Sequence, residues 1–84
     1  MSNVAEQVQT KQRIMTDLLE VQCMIDVDFY RLVRYYENNK EQFSTEQEAI
    51  ATRNIEELRN ERNKISTDIM NLLHEIQELI KGEL

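Results

Sequence analysis

His74, Glu75 and Glu78 come closest to a metal site by residue type and spacing. Side chains at i and i+4 share a helix face, so His74 and Glu78 could supply two ligands. A complete site needs more, and the chain has one histidine. Carboxylates or a second chain would have to finish it. A solvated helix face is the simpler reading, and no metal or other cofactor is expected. Cys23 is the only cysteine, which excludes a disulfide framework within one chain. It lies among apolar residues with no histidine at a catalytic spacing, so packing is its expected role. The 16 acidic side chains will pair mostly as solvated partners of lysine and arginine along helix faces. The chain carries neither a glycine-rich phosphate loop nor a nucleophile-plus-base signature. A protein without enzymatic activity is the expectation.

All five aromatic residues fall between positions 29 and 43: Phe29, Tyr30, Tyr35, Tyr36 and Phe43. Tyr30 and Tyr35 flank Arg31 and Arg34. Residues 29–43 carry +1, whereas residues 1–28 carry −3 and residues 44–84 carry −4. Tyrosine and arginine are the types most enriched in interface hot spots. Cys23, Val27, Tyr30 and Arg34 follow the i, i+4, i+7, i+11 spacing of one helix face. The candidate partner-binding patch is therefore Cys23, Val27, Tyr30, Arg31, Arg34 and Tyr35. The plainer alternative is that these residues cover their own bundle. A nucleic-acid partner is disfavoured, because such binding needs a basic footprint and the chain sums to −6. Anionic membranes are disfavoured for the same reason.

The elements that must position these residues are helical. The chain has no proline and one glycine, so the turn chemistry of sheets is missing. Alternating steps of four and three pick out Val4, Val8, Lys11, Met15, Leu18 and Gln22. They continue through Ile25, Phe29, Leu32, Tyr36, Asn39 and Phe43, and nine of these twelve are apolar. A second seam runs Ala51, Ile55, Leu58, Arg62, Ile65, Ile69, Leu72, Ile76 and Leu79, with eight of nine apolar. Both have coiled-coil spacing. Continuing the first seam would place Glu46, Arg53 and Glu57 in the core, so the register breaks between residues 43 and 51.

Ser44 with Gln47, or Thr45 with Glu48, offers a capping box at that break. Asn38–Asn39 can end a helix in the left-handed region. Helix one is expected over about residues 3–40, capped by Asn3 with Glu6, and helix two over about 45–81, ended by Gly82. The fold class is all-α, an antiparallel hairpin of two long helices in a single domain. The alternative is one continuous helix of about 120 Å in a parallel coiled coil. Folding near residue 43 pairs position i with roughly 86 minus i. That brings Arg62 to Asp26 or Asp28, where a buried ion pair is expected unless the guanidinium snorkels to water.

Helix one is apolar on more than one side between Ile14 and Tyr36. Helix two adds surplus apolar residues at Met70, Leu73 and Ile80. A helix apolar on several faces is normally buried on several faces. Completion to a four-helix bundle by a second copy, or by another helical protein, is the expectation. The function class that follows is a scaffold or assembly subunit acting through helix contacts. One alternative is a small chaperone for a helical client, since methionine surfaces repack easily. Another is an acidic regulator that occludes a basic site through Glu46, Glu48, Glu56, Glu57, Glu61 and Asp68. No apolar run approaches the roughly 20 residues of a membrane span. The N-terminal residues are polar and lack a basic start, so no signal peptide is expected and the cytoplasm is the expected compartment.

Overall fold

The computed structural model describes residues 3–83. Helix α1 spans Val4–Asn39 and helix α2 spans Thr45–Glu83, joined by a short 3-10 turn at Lys40–Gln42. The helices pack against each other as an antiparallel hairpin, with no strand among the described residues. The resulting rod measures 60 × 18 × 15 Å. None of its helices is long and apolar enough to cross a membrane, among the described residues.

The helix starts follow from local chemistry. Asn3 adopts an extended backbone, and its Oδ1 accepts from the Glu6 amide at 2.8 Å. At the second start the Ser44 amide donates to Gln47 Oε1 at 2.9 Å, and the Gln47 amide donates back to Ser44 Oγ at 3.1 Å. This reciprocal pair is the Ser44 box, and it satisfies two amides that the helix itself cannot. Glu46 and Glu48 place negative charge in the first turn of α2, where the helix dipole favours it.

The helix ends differ from expectation. No described residue has a positive φ, so Asn38 and Asn39 do not use the left-handed region. Asn39 Nδ2 instead donates to the Tyr35 carbonyl at 2.8 Å. The chain tightens into the 3-10 turn and leaves it at Phe43 in extended conformation, whose amide donates to the Lys40 carbonyl. Orphan carbonyls are thus met without a left-handed cap. Gly82 does not end α2 either, because helix continues through Glu83. No atom would crowd a Cβ built at Gly82, so nothing in its surroundings demands a glycine.

The seam positions are the ones that lose solvent. All twelve of the first seam are half-buried. In the second, Ile55 and Ile76 are buried, Arg62 is exposed, and the other six are half-buried. Ile55 and Ile76, at 9% and 5% exposed, are the only buried residues described. The hairpin therefore has a seam of contacts but hardly a core.

Polar positions on the seam are paired across it. Lys11 Nζ meets Glu75 Oε2 at 3.2 Å, and Gln22 Nε2 donates to Ser66 Oγ at 2.6 Å. Arg62 Nε lies 2.6 Å from Asp26 Oδ1. Tyr36 donates its hydroxyl to Glu48 Oε1 at 2.8 Å. Every pair obeys the register of a fold point near residue 43. A slipped register would break all four at once, so together they specify the alignment.

Candidate interaction surfaces

The two flanks of the seam can be told apart from the grooves that line them. On one flank, Val33 and Glu37 of α1 share a groove with Thr52, Glu56 and Arg59 of α2. Steps of seven along each helix extend this flank toward the open end of the rod. From Val33 and Glu37 they pass through Asp26 and Tyr30 and then reach Leu19, Cys23 and Thr16. From Thr52 and Glu56 they reach Ser66, Met70, Leu73, Gln77 and Ile80. The Gln22–Ser66 bond agrees with this placement. On the opposite flank, Tyr35 shares a groove with Gln47, Ile50 and Asn54. The same steps extend it to Val21 and Ile14, and to Glu61, Asp68 and Glu75.

The six residues of the expected partner-binding patch do not gather into one surface. Val27, Tyr30, Arg31 and Arg34 line a shallow groove on the back of α1, with Asp26 at its edge. Arg34 lies over the Tyr30 ring at 5.6 Å, and its Nη1 donates to the Tyr30 hydroxyl at 3.3 Å. That arginine and tyrosine are therefore occupied with each other. Cys23 is exposed and lies outside that groove, one heptad from Tyr30 toward the open end. Tyr35 points to the second flank, with its ring centroid 6.0 Å from that of Phe43. The link folds Phe43 back between Tyr35 and Tyr36, which separates Tyr35 from its sequence neighbours.

The expected buried ion pair is corrected in two respects. Asp26 is the partner, but both side chains are nearly half exposed, at 46% and 45%. Asp28 takes no part. Two residues farther along, it has turned onto the Tyr35 flank, away from Arg62. Arg62 also lies 5.8 Å from the centre of the Phe29 ring, with Arg59 at the same distance. Asp26 Oδ1 itself is buried and accepts no hydrogen bond, because Arg62 Nε is close but poorly aligned. Charge alone partners that oxygen.

His74 is exposed and shares a groove with Lys11, Glu75 and Glu78. Glu75 is held by Lys11. Among the described residues no group of three or more histidines, cysteines and carboxylates is placed to hold a metal ion.

The Tyr36 hydroxyl is held above the usual phenol range, chiefly by the bond it donates to Glu48, with desolvation and the Glu48 charge adding. Lys40 is likewise raised, first by its bond to Glu37. Both shifts favour the protonated form. What they add to stability is present below the ordinary phenol and ammonium ranges and is lost as pH climbs through the raised values. In a chain where Tyr30 and Tyr35 are phenylalanine, tyrosinate absorbance reports Tyr36 alone. Glu48→Ala is expected to move that titration to lower pH. An unmoved midpoint would show that the bond across the link does not form in solution.

Heptad reasoning on single helices missed the contrast between the flanks. Its signal is an absence. On the first flank, the open half of the rod carries no charged residue at any heptad-related position, in a chain that is 31% charged. In that open half, beyond Cys23 and Asn63, the second flank carries Asp68, Glu75 and Glu78 against Lys64.

These features describe a helical hairpin with unequal flanks. No protein family matches the chain, and no curated protein or solved structure is significantly similar to it.

Proposed function

We propose that this protein is a helical association module. It works by completing its core against other helices rather than by catalysis. The observation that carries this reading is the ratio of exposed to buried apolar side chains. Among the described residues, two hydrophobic ones are buried, while eleven large ones are more than a third exposed. The chain exposes 6675 Å² of surface. A compact monomer of its mass would expose about 5,300 Å². Exposed apolar surface on this scale is characteristic of an interface. Packing two hairpins into a four-helix bundle is the simplest way to cover it.

Light scattering over a range of concentrations, with circular dichroism on the same samples, tests the reading. A strongly helical assembly of two or more chains is the expected result. A poorly helical chain that gains helix only with a partner would also fit. A monomer that is fully helical and melts cooperatively on its own would overturn it, because the exposed surface would then need no cover.

A second reading draws on the acidic flank. Glu61 and Asp68, with Glu57 nearby, suit contact with a basic protein surface. Binding of that kind would weaken steeply with salt, whereas apolar helix contacts would tolerate it.

A further inference from the structure

We infer that the uncharged flank in the open half of the rod is a self-complementary interface, and that its occupant is a second copy of this chain. The inference rests on the association reading and names its surface and partner. Leu19 and Cys23 of α1 and Met70, Leu73 and Ile80 of α2 supply the apolar part. Leu19, Leu73, Ile80 and Met70 are 44%, 37%, 47% and 62% exposed.

Charge selects the occupant. In a two-fold contact the same patch meets itself, so any net charge on it is doubled and opposed. Each chain carries −6, and two copies must approach through a surface that contributes none of it. This flank meets that condition. The opposite flank does not, because its acids would face each other. A basic partner would be drawn to that acidic flank and would gain nothing from a neutral one.

Hydrogen bonding points the same way. Two polar side chains of the patch are already bonded within their own chain. Thr16 donates its hydroxyl to the Gln12 carbonyl at 3.0 Å, and Ser66 Oγ accepts from Gln22. Both can be covered by apolar atoms without leaving an unmet donor or acceptor of the kind that makes burial costly. Area is sufficient as well. The hairpin exposes about 1,400 Å² more than a compact chain of its mass. A standard interface covers about 800 Å² on each partner.

Two methionines make the test. Met70 lies on the uncharged flank at 62% exposure, and Met24, at 67%, lies outside that flank. Met70→Glu and Met24→Glu add the same charge and remove the same side chain. Sedimentation of the wild-type chain is expected to give a dimer. Met70→Glu is expected to raise the dissociation constant at least tenfold, and Met24→Glu to change it less than threefold. Circular dichroism on the same samples separates loss of contact from loss of fold. Gln77→Glu, which adds a charge to the same flank and removes no apolar group, must weaken the dimer too.

A dimer broken by Met24→Glu and spared by Met70→Glu and Gln77→Glu would overturn the surface while leaving association intact. A poorly helical wild-type monomer would overturn the second copy as occupant and leave a different helical partner. A stable, fully helical monomer would overturn the association reading itself.

Discussion

Ile76→Ala is expected to destabilise the hairpin by about 2–4 kcal/mol, the usual cost of emptying a buried isoleucine site. At about 4–8 °C per kcal/mol for a chain of this size, the melting temperature should fall on the order of 10–30 °C. Ile76 is 5% exposed and, with Ile55, makes up the whole of the buried core described. No second layer exists to collapse into the space. Total stability for a chain of 84 residues is on the order of 4–13 kcal/mol, so one such cavity removes a large share of it. Ile50→Ala is the matched control, because Ile50 is 43% exposed. It should cost less than about 1 kcal/mol. Thermal melts by circular dichroism at one fixed protein concentration make the comparison, since association would shift the midpoint with concentration. Equal losses at the two sites would mean that the seam does not hold the hairpin.

Arg62 and Asp26 should respond unequally to removal, although they are partners. Arg62→Ala leaves Asp26 Oδ1 with no counter-charge, and it removes the guanidinium from over the Phe29 ring. A cost of about 1–3 kcal/mol is expected for an orphaned polar atom of this kind. Asp26→Ala leaves a guanidinium that is half exposed, still near Phe29 and free to turn to water. It should cost under about 1 kcal/mol, as for other solvent-reached ion pairs. Combining Asp26→Ala with Arg62→Leu puts an apolar side chain in a seam position and removes both charges. That double variant should be at least as stable as the native chain. Urea midpoints at neutral pH give all three values. An Asp26→Ala loss equal to or larger than that of Arg62→Ala would sink the account.

A polar layer so easily improved upon has its use in alignment. Two long helices with leucines and isoleucines at regular steps can slide by one heptad and lose little apolar contact. Arg62–Asp26 cannot slide in this way, because Asp26 would then face Ile55 or Ile69, and Arg62 would face Leu19 or Val33. This trade of stability for register matches the known use of polar residues in helix seams.

Much of the architecture was legible because it depends on neighbours along the chain. The three-and-four spacing from Val4 to Phe43 is a property of one helix, and all twelve positions lost solvent as that spacing requires. The phase break, the Ser44–Gln47 box and the Asn3 cap are equally local. Helix ends were less legible, because several arrangements satisfy the same orphan carbonyls. The side chain of Asn39 did so without a left-handed residue, and Gly82 lies within a helix described through Glu83.

The candidate surfaces were legible only in their residue types. Spacing alone placed Cys23, Val27, Tyr30 and Arg34 on one face of α1. Which of these lies beside α2, and on which side, depends on how the second helix is laid along the first. Arg34 closes over Tyr30 within one turn of α1, while the folded link drew Tyr35 to Phe43. The difference between a neutral and an acidic flank has the same origin. It is a sum over residues more than forty positions apart, and no window along the chain contains both halves. Periodicity, charge and caps act within a few turns and are written in local order. Sidedness is a relation between two helices and exists only once they have packed.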